Sequence, residues 1–213
     1  MRIVLLGGPG AGKGTQAMRV SDAFGIPHIS TGAYFRDQLE KDTELGNRIR
    51  KYMDSGSLVP DKLTCEVVEV RVKQPDCDRG YVLDGFPRSL QQARILDEML
   101  AERGEALDIA IDLKVPDEEI VSRLTARRLC PVCGKIFNLK FGPPSSDGGV
   151  CDRAGCTGQL VTRSDDTEAT VRERLRIYHR MAAPIIEYYN ERGLLRAVAG
   201  AVGRRQEDDV APG

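Results

Sequence analysis

The stretch Gly7-Gly8-Pro9-Gly10-Ala11-Gly12-Lys13-Gly14-Thr15 decides the fold. It follows the apolar run Arg2 to Leu6 and precedes a segment of helical period, Gly14 to Phe24. Through its lysine it fits the phosphate-binding loop pattern in the strand, loop and helix setting that pattern demands. Glycines let backbone N–H groups converge on phosphate oxygens, the following helix aims its positive end at the same point, and Lys13 adds a full charge. Gly14 stands where the usual motif carries a metal-binding hydroxyl, and Thr15 supplies a hydroxyl one residue later. Magnesium is therefore not expected to be held there in the usual way.

Outward from the loop, strand-length segments at Arg2 to Leu6, Tyr81 to Leu83 and Ile109 to Val115 alternate with longer helical stretches. The helices expected are Gly14 to Phe24, Asp61 to Lys73, Ser89 to Arg103, Pro116 to Arg128 and Thr167 to Arg192. This alternation predicts an α/β fold, a parallel β-sheet core flanked by helices. Two regions break it. Residues 30–59 show short helical pieces without a convincing strand, a small helical insertion. Leu129 to Thr162, rich in glycine and proline, holds four cysteines and reads as a separate metal-stapled subdomain.

Charged residues make up 30% of the 213-residue chain, yet the formal net charge is only -1, so no basic nucleic-acid footprint is present. The opening apolar run is too short for a signal-peptide core or a membrane span, which predicts a cytoplasmic protein. Four of the six cysteines cluster as Cys130-Pro131-Val132-Cys133 and Cys151-Asp152-Arg153-Ala154-Gly155-Cys156. Four thiolates at such spacing suit tetrahedral, structural Zn²⁺. The second knuckle is longer than usual, and Asp152 is a possible substitute ligand; disulfides and idle thiols are the alternatives.

The run Gly7 to Gln16 resembles the adenylate kinase version of the phosphate loop, and Asp84-Gly85-Phe86-Pro87-Arg88 resembles that family's second signature. Ile29-Ser30-Thr31-Gly32, Arg36, the pair Arg127-Arg128, and Thr162 to Asp166 followed by Arg172 and Arg174 extend the likeness to about Gly200. The resemblance implies a core domain over residues 1–29, 60–125 and 167–213. It also implies an AMP-binding insertion over 30–59 and a mobile lid over 126–166. It implies reversible phosphoryl transfer between ATP and AMP, with ADP as product. The ATP phosphates are assigned to Gly10, Ala11, Gly12, Lys13, Gly14 and Thr15, and further ATP contacts to Arg127, Ile136 and Phe137, with the adenine near Val202. AMP is assigned to Thr31, Arg36, Ser57, Leu58, Val59, Gly85, Phe86, Pro87, Arg88, Gln92, Arg163 and Arg174. A triphosphate donor other than ATP, such as GTP, remains the nearest alternative. Partners are expected to be these small molecules, with neither nucleic acid nor membrane, on a monomeric chain.

Chemistry adds its own expectations. The attacking phosphate oxygen is already anionic near neutral pH, so no general base is required, and His28 and His179 read as structural. The reaction needs positioning and neutralisation of charge on the transferred phosphoryl group. Lys13, Arg88, Arg123, Arg127, Arg163 and Arg174 are the candidates. Arg123 and Arg127 lie four apart and would share one face of a helix. Arg172, Arg176 and Arg180 form a four-residue stripe of the kind that faces solvent, while Arg174, about 200° around from Arg172, points elsewhere. Asp165 and Asp166 are either helix caps or ion-pair partners of incoming arginines. Asp84, at a strand end, is placed to order the waters around Mg²⁺. Gln92 can donate and accept on one adenine edge, or be an ordinary surface glutamine.

Overall fold

In the computed structural model, residues 1–55, 57–144 and 149–200 are described. Val202 lies outside them. The chain runs β1 (Arg2–Gly7), α1 (Lys13–Phe24), β2 (His28–Ser30), α2 (Thr31–Glu40), α3 (Glu44–Asp54), α4 (Asp61–Val72), β3 (Tyr81–Asp84), α5 (Leu90–Ala101), β4 (Ile109–Lys114), α6 (Asp117–Thr125), β5 (Arg127–Leu129), β6 (Ile136–Asn138), α7 (Glu168–Glu191) and β7 (Leu195–Ala199). Five strands form one sheet in the order β2-β3-β1-β4-β7, and every neighbouring pair is parallel. That is the predicted α/β architecture.

Alternation along β1 explains why the sheet is covered on both faces. Val4 and Leu6 pack with Val68 of α4, Leu96 of α5 and Ile185 of α7. Ile3 and Leu5 point the other way, against Ala17 of α1 and Ile26. The central strands thus read as continuous apolar runs because neither face sees water.

The expected helical insertion exists as α2 and α3, which pack around Phe35, Ile49 and Val59. Both start on side-chain caps: Ser30 accepts from the Ala33 N–H and Thr43 from the Gly46 N–H. Four short strands, β2, β5, β6 and β7, went unexpected.

The helix expected over Pro116 to Arg128 is shorter. It stops at Thr125, and Arg127 begins β5, paired antiparallel with β6 so that Arg127 faces Asn138. Arg123 and Arg127 therefore do not share a helix face, and that spacing argument fails. Tertiary pairing overrides helix propensity here: the chain must turn out into the cysteine-bearing excursion, and a two-stranded ribbon makes the turn. No helix among the described residues is long and apolar enough to cross a membrane.

Candidate active site

The phosphate loop leaves β1 at Gly7, and α1 begins at Lys13 with Gly12 as its N-cap at φ 95°. That left-handed conformation suits glycine, and no capping side chain competes for the first N–H groups of the helix. Lys13 Nζ donates to the carbonyls of Gly7 at 2.7 Å and Gly8 at 2.8 Å, which holds the ammonium over the loop. Burial, only partly offset by Asp84, brings its pKa down to about 8.

Asp84 ends β3 beside this loop. A Cβ on Gly14 would lie 3.4 Å from Asp84 Oδ2, so the carboxylate fills the neighbourhood where a motif hydroxyl would otherwise project. His28 Nε2 stands 3.4 Å from the same oxygen. Burial opposes ionisation of Asp84, but His28, Lys13 and Arg88 outweigh it and hold its carboxyl below the usual range.

The second signature folds back on itself at Gly85, at φ 81°. The Gly85 carbonyl accepts from Thr31 Oγ1 at 2.9 Å and from Arg88 Nε at 2.8 Å. A Cβ there would come within 2.9 Å of Arg88 and 3.0 Å of Thr31, so only glycine lets the two side chains converge. Phe86 is fully buried, and the Phe86–Pro87 peptide is cis.

Beside this turn lies a pocket that brings together Thr31, Arg36, Ser57, Leu58, Val59, Gly85, Arg88, Gln92 and Arg174. Phe35, Met53 and Thr64 complete its wall together with Gly32 and Asp165. Sequence reasoning missed Phe35, Met53 and Thr64. Phe35 was within reach, because it follows Thr31 by four residues on one helix and shares its face.

Of the arginines expected on AMP, Arg36, Arg88 and Arg174 line this pocket and Arg163 does not. Desolvation by the surrounding atoms lowers Arg88 to about 10 although the residue keeps solvent exposure, with Arg174 adding to the effect, and lowers the half-buried Arg163 to about 10, with Arg127 and Arg36 adding. Arg36 and Arg174 are lowered too, by burial first. Like charges held this close out of water are costly unless an anion joins them. Asp165 accepts from Arg174 at 2.8 Å. Asp166, fully buried, takes Arg127 in a two-pronged pair whose Nε contact is 2.7 Å. The acidic pair thus serves ion pairing, and Thr167 caps α7 instead. Arg163 Nε is buried without a hydrogen-bond partner.

Other candidates fall differently. Arg123 pairs with Glu119 one turn earlier, at 2.9 Å. Arg172 pairs with Glu118 and Glu168, and Arg176 with Glu173, on the solvent side of α7 as the stripe argument required. His179 meets Asp117 at 2.9 Å on the surface. Gln92 is 1% exposed and no surface residue. Ile136 is exposed, while the Phe137 ring turns into the cysteine cluster, so Phe137 offers a ligand its backbone alone.

The four clustered cysteines keep their sulfurs within 4.8 Å of one another. Cys130 and Cys156 are 3.5 Å apart, Cys133 and Cys151 3.6 Å. Disulfide sulfurs sit about 2.05 Å apart, whereas four thiolates about 2.3 Å from one zinc lie about 3.8 Å from each other. The geometry fits a metal tetrahedron. Asp152 accepts from Lys135 Nζ at 2.6 Å, so the long second knuckle needs no carboxylate substitute. The Lys135 backbone pulls the Cys133 thiol down, while burial pushes that of Cys151 up; a bound cation offsets such a burial cost.

The adenylate kinase family model matches residues 5–194. Adenylate kinases from Archaeoglobus fulgidus and Symbiobacterium thermophilum are 50% and 51% identical to the chain over 200 residues, covering 94% of it and 91% of each relative. The adenylate kinase of Lachnospira eligens is 47% identical over 210 residues, 99% of this chain and 96% of that one. A likeness that spans the phosphate loop, the Gly85 turn and the cysteine-bearing excursion alike, over nearly the whole length of each relative, places this chain in the adenylate kinase family.

Proposed function

We propose that the chain catalyses the reversible reaction ATP + AMP = 2 ADP, with ATP phosphates on the loop Gly10 to Thr15 and AMP in the arginine-walled pocket. The observation that carries this reading is the placement of Arg88. Its guanidinium is held at the Gly85 turn by donating to the Gly85 carbonyl, between the pocket it lines and the Lys13–Asp84 end of the phosphate loop. One cation in reach of both sites is what transfer between two phosphates requires.

AMP enters base-first against Phe35, Met53 and Val59, with Gln92 on the adenine edge and Arg36, Arg88 and Arg174 on the phosphate. An AMP oxygen, already anionic, attacks the terminal phosphorus of ATP in line, and the bond to the leaving ADP oxygen breaks. No side chain has to accept a proton. Lys13, Arg88, Arg127, Arg163 and Arg174 hold the charge spread over the transferred group, and Arg123 supports them from α6. Mg²⁺ bound with ATP supplies further charge neutralisation. Asp84, ionised and beside Gly14, suits the waters of a metal that keeps most of its hydration.

Residues 30–59 form the AMP-binding insertion and 126–166 the lid, with the remainder of the chain as core. Closure of the lid brings Arg127 and the Ile136 segment over ATP and excludes water from the reacting phosphoryl group. Zinc on Cys130, Cys133, Cys151 and Cys156 gives the lid its rigidity. We take the enzyme to be a cytoplasmic monomer.

The acceptor assignment is tested by coupled assay of ADP formation from ATP with AMP, GMP, CMP and UMP in turn. AMP should exceed the others by orders of magnitude. Comparable turnover with UMP or CMP would remove the assignment of Gln92 and its pocket.

A further inference from the structure

The reading above gives Gln92 the adenine edge, and the present proposal rests on it. A glutamine amide can face a base in either of two senses, carbonyl and amino group interchanged, and only one suits adenine. Adenine presents a donor at N6 and an acceptor at N1; hypoxanthine and guanine present an acceptor at O6 and a donor at N1. Whatever fixes the sense of the Gln92 amide therefore chooses between these bases.

Three neighbours fix it. Gln92 Nε2 donates to Asp61 Oδ1 at 2.7 Å, and Gln92 Oε1 accepts from the backbone N–H of Arg88, also at 2.7 Å. Ser89 Oγ donates to Asp61 Oδ2 at 2.6 Å and accepts from the Gln92 N–H at 3.1 Å. An ionised carboxylate only accepts, and a backbone N–H only donates. Turning the amide over would set its carbonyl against the carboxylate and its amino group against the N–H. Gln92 is almost wholly buried, so water cannot replace either lost bond. After these two bonds one amide hydrogen and one carbonyl lone pair remain, a donor and acceptor edge of fixed sense on a residue that lines the pocket.

We propose that Asp61, the first residue of α4, is a specificity-determining positioning residue: by accepting from Gln92 Nε2 it locks the amide in the sense that reads adenine and rejects 6-oxopurines. Asp61 need not touch the nucleotide, since it acts through Gln92. The Ser89 hydroxyl holds the second carboxylate oxygen and so aims the first. With the phosphate held by arginines at the other end of the pocket, a 6-oxopurine cannot turn over to match the locked edge.

The test compares kcat/KM for AMP and for inosine monophosphate, which has the reversed edge without the 2-amino group of guanine, in wild type, Asp61→Asn and Asp61→Ala. The Asn variant changes the charge and adds a donor with almost no change of shape; the Ala variant removes the anchor. The Ala variant leaves only the Arg88 N–H to bias the amide, so its AMP preference should shrink roughly tenfold or more, the worth of one hydrogen bond to a charged group; the Asn variant, whose Oδ1 can still accept from Gln92 Nε2, should keep most of the preference. The KM for ATP should not move. A merely structural role would lower both acceptors by a common factor and leave their ratio fixed, and that result in folded Asp61→Ala would overturn the proposal. Should Asp61→Ala fail to fold, Asp61→Ser, too short to reach Gln92 Nε2, takes its place, and combining the substitution with Gln92→Ala, compared with Gln92→Ala alone, decides: removing Asp61 must have no effect on the ratio once Gln92 is gone. A wild type that uses AMP poorly would overturn the underlying reading. A wild type that strongly prefers AMP, with an Asp61→Ala variant that keeps the preference, would overturn the proposal alone.

Discussion

At the scale of single residues the site is governed by charge held out of water. Arg88 and Lys13 are both depressed by partial desolvation, Arg88 to about 10 though it remains solvent-exposed and Lys13 to about 8. Each is a preorganised donor of the kind whose removal costs about 2.7 to 4 kcal/mol of transition-state stabilisation. Arg88→Ala and Lys13→Ala should each lose that much in kcat/KM while unfolding at wild-type-like temperatures, which steady-state kinetics and a thermal melt will check together. Lys13 also gives a pH signature. Its folded pKa lies below the ordinary lysine value of 10.5, so the cationic form fades from the free enzyme as pH rises through about 8. The kcat/KM for ATP, which reports the free enzyme, should fall above that pH, while kcat holds to higher pH because bound phosphates favour the ammonium. Lys13→Arg should abolish the alkaline fall in kcat/KM. Much of this was legible in sequence, since Lys13, Asp84 and Arg88 sit in local motifs. The Asp61–Gln92 clamp was not, because its partners are 31 residues apart and nothing in local spacing joins them.

At the scale of elements, long helices and central strands were readable because burial imposes period on their residues. The short strands were not. β2 and β5 have three residues each, and four of the five β7 residues are exposed, so none writes a pattern. The β5–β6 ribbon opens an excursion whose two ends are tied together by Arg127 and Asp166. Between them, among the described residues, the buried hydrophobic side chains are Cys130, Phe137 and Cys151. So small a core needs a staple. Purified without chelator, the protein should carry one equivalent of zinc by elemental analysis. The double variant Cys130→Ser, Cys133→Ser should lose it, melt earlier and keep measurable activity at low temperature. Because the sheet and phosphate loop share no residue with that cluster, metal loss should loosen the excursion and leave the core folded. A wild type without metal, or a variant with unchanged melting, would remove the staple.

At the scale of the whole molecule, a parallel sheet presents the carboxyl ends of its strands to one edge, and the residues proposed for both nucleotides gather there: the phosphate loop after β1, Asp84 at the end of β3, Thr31 just after β2. The helical insertion leaves from β2 and the cysteine-bearing excursion from α6, so the two lie on either side of that edge in chain order. The central claim is that this arrangement passes a phosphoryl group directly from ATP to AMP and keeps water from intercepting it. The most direct measurement follows label from ATP carrying ³²P in its terminal phosphate, mixed with AMP and Mg²⁺ and separated by chromatography at early times. The label should appear in the newly formed ADP, with release as inorganic phosphate slower by orders of magnitude. Label appearing chiefly as inorganic phosphate, at a rate indifferent to AMP, would contradict it and make the chain a nucleotide hydrolase instead.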